Sequence, residues 1–194
     1  MGTIPVLSSD VLRDIARRAL AMTSADTASI RLEHTAIGAA RVEQSRLRLN
    51  DSGDRLHVEI ATQFGHRQSA ELVVNQLDDA SLRDAMAYLE RIAHEQLGDP
   101  TSLAVPIPPR TYLSNTTWKL PTVAAYDETR HGVMPALVDP LLRSGLAAAA
   151  FAGVYVRSTA YAEKTGIEAY GEETDAERTV TGWSSDGRGS GWAG

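Results

Sequence analysis

Apolar residues recur at every second position in several stretches of this chain, and that rhythm commits it to a sheet. Ile30 and Leu32 alternate with Ser29, Arg31 and Glu33; Leu56, Val58 and Ile60 alternate with His57, Glu59 and Ala61; Ala70, Leu72 and Val74 follow. Successive side chains of a strand point to opposite faces, so each stretch buries one side and wets the other. Residues 42–49 continue the pattern, with Leu47 and Leu49 against Arg46 and Arg48. Asn50, Asp51, Ser52 and Gly53 read as a turn, as do Phe64, Gly65 and His66. Four strands joined by short turns predict an antiparallel meander.

Helical spacing flanks the sheet. Over 9–22, Ser9 is placed to cap, Asp10 suits the first turn, and Val11, Ile15 and Ala19 with Leu12, Ala16 and Leu20 make one apolar face. A second helix starts at Asp78 or Asp79, carries a stripe of Leu82, Ala85, Met86, Leu89, Ala93 and Leu97, and stops at Gly98 and Pro100. The expected fold is α+β: an antiparallel sheet with two helices on one face over 1–99, then a Pro-rich linker over 100–121, then a helical segment and a C-terminal β-hairpin region over 122–194. In that last part a helical pattern over 127–145 is interrupted around Pro135 and Pro140. A long strand over 148–162 follows, with a turn at Lys164, Thr165 and Gly166, a partner strand over 167–170 and a third strand over 177–185.

Charge narrows the partners. The net charge is −6, the only lysines are Lys119 and Lys164, and no basic run exists, so no nucleic-acid partner is expected. Cysteine is absent, which excludes disulfides and thiolate metal sites and suits a cytoplasmic location. The first residues lack the basic and apolar regions of a secretory signal, and Val6 stands where a myristoylation motif needs serine or threonine. The longest apolar run, 146–156, is too short to span a bilayer.

No residue set announces catalysis. His94 and Glu95 open like a zinc-protease helix motif, but Gly98 and Asp99 occupy the positions where a second histidine would share the metal. His34, His57, His66 and His131 are scattered; His57 and Glu59 share a strand face, which reads first as a solvated face. A general base at His57 or His131 lacks a partner at fixed spacing. Asp127 with Glu128, and Glu172, Glu173 and Asp175 in a turn, read as solvated acids. Gly187, Arg188, Gly189, Ser190 and Gly191 lack the lysine and helix of a phosphate loop and read as a flexible connector. Neither catalytic nor metal residues are therefore expected. Tyr155, Tyr161, Tyr170, Trp183 and Trp192 cluster late in the chain; an aromatic hairpin can take an extended peptide by edge pairing, and Tyr161, Tyr170 and Trp183 are the expected peptide contacts. Core and interface packing is the other reading of these aromatics.

Two stretches together resemble the TldD/PmbA family. One runs from Ile30, Arg31, Leu32, Glu33 and His34 through Ala40 to Leu47, then from Ser69 through Leu82 into the leucine-rich helix. The other comprises Val154 to Ser158, Lys164 to Ile167, Arg178 to Trp183 and the closing Gly189, Ser190, Gly191, Trp192, Ala193 and Gly194. The resemblance implies a portion of a longer, two-subunit zinc peptidase that processes peptides in a chamber, also labelled a modulator of DNA gyrase. It places the zinc ligands, a histidine–glutamate motif and a cysteine, in a C-terminal half with no matching positions here. The Trp192, Ala193, Gly194 ending is similar to the sister subunit that lacks the metal. On this reading the chain shapes the chamber, guides an extended peptide and pairs as a homo- or heterodimer with a TldD/PmbA-type subunit, with no cofactor of its own. A stand-alone binding or oligomerisation module is the alternative, and a reading frame continuing beyond Gly194 would separate the two.

Overall fold

The computed structural model describes residues 6–65, 68–97 and 115–194, with the backbone alone at 48–51, 115–116 and 127–131. The first helix, α1, spans Ser9–Leu20 and buries Leu12, Ile15, Ala16, Ala19 and Leu20. Its cap position is Ser8, not Ser9, and the Ser8 hydroxyl makes no capping bond. Val11, at the margin of the apolar face, is exposed. Lys164 Nζ and the Glu90 carboxylate tie down the segment that leaves this helix: the amine donates to the Thr23 and Ala25 carbonyls, and the carboxylate accepts from Thr23 and Ser24.

Two long strands follow, β1 (Thr27–Glu43) and β2 (Arg46–Phe64). They pair antiparallel from Thr27 opposite Gln63 to Glu43 opposite Arg46. This corrects the predicted meander of four: the first predicted strand runs unbroken to Glu43, the reversal falls inside the predicted 42–49 strand, and Asn50 to Gly53 is not a turn but lies inside β2, with Ser52 opposite Gly38 and Gly53 opposite Ile37. The chain reverses instead at Gln44 and Ser45, both with positive φ (47° and 62°). Two central residues in the left-handed region give the turn whose twist matches a hairpin. At seventeen residues, β1 extends roughly 55 Å. A third strand, β3 (Gln68–Val74), completes this part by pairing with β2. Gly65 turns with φ of +56° and donates its N–H to Asp26; His66 lies outside the described residues.

The helix α2 (Asp79–Glu95) is capped by Asp78, which accepts from Ser81 N–H and Oγ. Its buried stripe is Leu82, Ala85, Met86, Leu89 and Ala93; Leu97 falls beyond the helix and is exposed, which removes it from the predicted stripe. The expected stop at Gly98 and Pro100, and most of the Pro-rich stretch, lie outside the described residues. A short strand, β4 (Asn115–Thr117), leads into α3 (Leu120–Arg143), which begins earlier than predicted because Pro121 occupies the first turn, where its missing N–H costs nothing. Pro135 and Pro140 lie within α3 rather than interrupting it.

The last strands are β5 (Ala147–Glu163), β6 (Glu168–Trp183) and β7 (Ser190–Ala193). Glu172 to Asp175 is thus not a turn: β6 is one strand, paired with β5 along its length. One seven-stranded, largely antiparallel sheet results, in the order β3-β2-β1-β5-β6-β4, with β7 also on β6. Its central contact joins β1 to β5, from Ser29 opposite Glu163 to Val42 opposite Ala150.

The three helices among the described residues sit on one side of the sheet. Even-numbered positions of β1 and β5 form that side. Ile30, Leu32, Ala160 and Ala162, with Val58 and Ile60 of β2, pack against α1 and α2. Ala40, Val42, Ala148, Ala150 and Ala152 pack against Met134 and Val138 of α3. Each fully buried Ile, Leu or Val contributes about 1.5–3 kcal/mol. Gly38 lies between the two clusters, where a Cβ would meet the Tyr126 carbonyl oxygen at 2.6 Å. The fold is the expected α+β, with a third helix on the same face. No helix among the described residues is long and apolar enough to cross a membrane.

Candidate functional site

With the helices on one side, the opposite side of the sheet is left for solvent or a ligand, and alternation sends the polar residues there. Arg31 and Glu33 of β1, Glu59 of β2, Arg157, Thr159 and Tyr161 of β5 and Glu173 of β6 come together across four strands. Glu33 lies between the two arginines, 3.6 Å from Arg31 and 3.3 Å from Arg157. Arg31 is also 3.7 Å from Glu59, and Arg157 pairs with Glu173 and donates from Nε to Thr35 Oγ1 at 3.1 Å. Glu33 is only 23% exposed, so this junction is held more firmly than an ordinary surface pair. Because each arginine meets two carboxylates, the site carries excess negative charge.

Two of the shallow clefts on this network lie beside Arg157. One, of about 330 Å³, lies over Arg31, Glu33, Arg157, Thr159 and Tyr161 beside Thr117. The other, of about 500 Å³, is lined by Tyr155, Glu173, Asp175 and Glu177. Tyr155 donates to Glu177 at 2.6 Å. Burial, then the Glu177 acceptor and its charge, then the charge of Asp175 push the Tyr155 phenol up to about 12.

Of the three expected peptide contacts, Tyr161 and Tyr170 both border the first cleft, and Trp183 lies apart from them. Tyr161 lines the first cleft and donates its hydroxyl to Glu163. Tyr170 lies opposite Ala160, on the helix-bearing side; its ring sits beneath the Arg13 guanidinium and its hydroxyl donates to Glu172 at 2.7 Å. Trp183 lies opposite Ala147, fourteen positions along β5 from Tyr161 and so roughly 45 Å away. What sequence spacing missed is the junction of Glu33, Arg157 and Glu173; nothing local could find it, since its members meet only through strand register.

The histidines are accounted for singly. His34 accepts the Leu7 N–H at Nδ1 (2.9 Å) and faces Asp54 from Nε2 (3.2 Å). An acceptor Nδ1 puts the neutral ring's proton on Nε2. His94 stacks against Phe64 with ring centroids 4.2 Å apart. His57 is 3.6 Å from Glu59, whose other neighbour is the cation Arg31. No group of three His, Asp or Glu side chains able to hold a metal occurs among the described residues. The side chains of His131, Asp127 and Glu128 lie outside the description. The glycine-rich segment is an ordered turn, not a loose connector: Asp186 accepts from Ser184 Oγ and Arg188 N–H, which lower its carboxyl, and Ser184 N–H donates to Gly189 C=O to start β7.

No protein-family profile matches the sequence, and no curated protein matches it. Solved structures do. TldE from Thermococcus kodakarensis superposes with a TM-score of 0.72 at 12% identity, over 92% of this chain and 40% of that one. The fold is one that TldE contains. A protein named as a modulator of DNA gyrase, from Bacteroides thetaiotaomicron, gives a TM-score of 0.80 at 12% identity over 96% of this chain and 44% of its own. Another so named, from Thermotoga maritima, gives 0.65 at 9% identity over 93% and 41%. This chain therefore spans about two fifths of the length of each, and at these identities the likeness is one of fold.

Proposed function

We propose that this chain is a chamber-forming, peptide-guiding part of a TldD/PmbA-type metallopeptidase assembly, working in the cytoplasm as one member of a homo- or heterodimer. The observation that carries the reading is the match to TldE over nearly the whole chain, with the described helices on one side and a polar sheet face that no described helix covers on the other. Such a face and its edges suit an extended peptide, whose main chain needs hydrogen-bonding partners along its length. Amide cleavage is assigned to residues outside these 194.

The test mixes the chain with a zinc-bearing subunit of that family and follows a fluorogenic unfolded peptide. The expected result is a complex in light scattering with faster cleavage than either component gives, and no cleavage by the chain alone. One tightly held zinc per chain after dialysis, or hydrolysis by the chain alone, overturns the reading. Failure to associate or to change the rate favours the stand-alone binding module.

A further inference from the structure

The two margins of the sheet differ. On β6, β4 covers Gly171 to Glu173 and β7 covers Val180 to Trp183, while the Ala176 N–H between them is taken by the Asp175 carboxylate at 2.9 Å. That margin is blunted. On the far side, β3 pairs with β2 in unbroken register from Val58 opposite Val74 to Phe64 opposite Gln68, and no described strand lies beyond it. It contains no proline or lysine and no bulge, three of the usual protections of an edge. Ser69, Glu71 and Val73 are exposed on the helix-free side, Val73 at 50%, while Ala70, Leu72 and Val74 pack toward the core.

We infer that the outer edge of β3 takes an extended peptide carrying a basic residue opposite Glu71. The inference rests on the peptide-guiding reading above and gives it a place and a substrate class. Glu71 is the middle residue of β3, so antiparallel pairing of two copies in full register would set Glu71 against its own twin, a repulsive cross-strand pair. Glu71 has no ion-pair partner among the described residues. It lines a cleft of about 500 Å³ with Glu59, Arg31 and Tyr161, room for a long cationic side chain. Apolar residues flanking the basic one fall beside Ala70 and Leu72, on the side of α2.

The test uses the full chain and the acetylated pentapeptide amide Thr-Ile-Lys-Ile-Thr, with Thr-Ile-Glu-Ile-Thr as its counterpart. Binding is read by amide hydrogen exchange and by NMR shifts. The lysine peptide is expected to bind roughly fivefold tighter and to slow exchange of alternate β3 amides, and Glu71→Lys to reverse the preference. N-methylation of one alternate set of peptide amides should abolish binding while the other set tolerates it. Glu71→Gln, which keeps the shape, should bind both peptides alike if the variant with lysine misfolds. Slow β3 exchange without peptide, or an unchanged preference in both variants, overturns the inference. Binding mapped instead to Arg157 and Tyr161 overturns it while leaving the peptide-guiding reading intact; no binding anywhere removes both.

Discussion

At Tyr155 a hydroxyl is held against a carboxylate on a sheet face, and the consequence is a titration that can be followed. Burial and the Glu177 and Asp175 charges favour the neutral phenol, raising it from 10.0 to about 12. A raised folded value stabilises the fold fully below the unfolded value, and that contribution fades as pH climbs through the folded one. Stability should therefore decline between pH 10 and about 12. In Glu177→Gln the tyrosinate absorbance, isolated by subtraction of a Tyr155→Phe control, should rise at lower pH than in the parent. An unmoved titration would mean that burial alone sets the value. Tyr170 is pushed up in the same way, first by burial and then by Glu172, but on the opposite side of the sheet. Alternation assigns such residues to faces only when strand limits are right, and here the break assumed within β6 hid that the Tyr170 ring lies against α1 while Tyr161 lies on the other side.

Among the elements, the β1–β2 hairpin shows most plainly what local signals weigh. Asn50 to Gly53 has ideal turn composition yet lies in a strand, whereas Gln44 and Ser45 make the actual reversal with positive φ. A turn preference is worth about 1 kcal/mol, and pairing along seventeen residues of β1 outweighs it. Gln44→Gly should relieve the left-handed backbone and raise stability by about 0.5–1 kcal/mol, seen as a higher urea midpoint with an unchanged slope. Ser45 is the poorer choice because its hydroxyl accepts the Ala148 N–H at 3.3 Å. The first two helices were legible because their signals are short-range: the stripe of α2 and its Asp78 cap both lie within one window. The α+β class, the apolar alternation and the turn at Gly166 were legible for the same reason. The junction of Glu33 with Arg157 was not, since it exists only once β1 and β5 are aligned.

For the molecule as a whole, the join between β1 and β5 is decisive. The first three strands make one half of the sheet and the later strands the other, and Ala160 and Ala162 of β5 belong to the same apolar cluster as α1 and α2. A fragment of residues 1–97 would expose β1 from Ser29 to Val42 as a new edge and open that cluster. It should self-associate in size-exclusion chromatography and bind a hydrophobic dye, and co-expression with residues 115–194 should restore a dispersed species. A monomeric 1–97 with a sharp unfolding transition would show that the first half is self-sufficient. The contrast between the two sheet margins also bears on aggregation. A particle with a single adhesive rim and a sealed opposite rim can be joined once and no more. Glu71→Ala, which removes the like charges that would face each other, should then yield pairs that stop growing, and fibrils would demand that Asp175 first let go of its neighbour's amide.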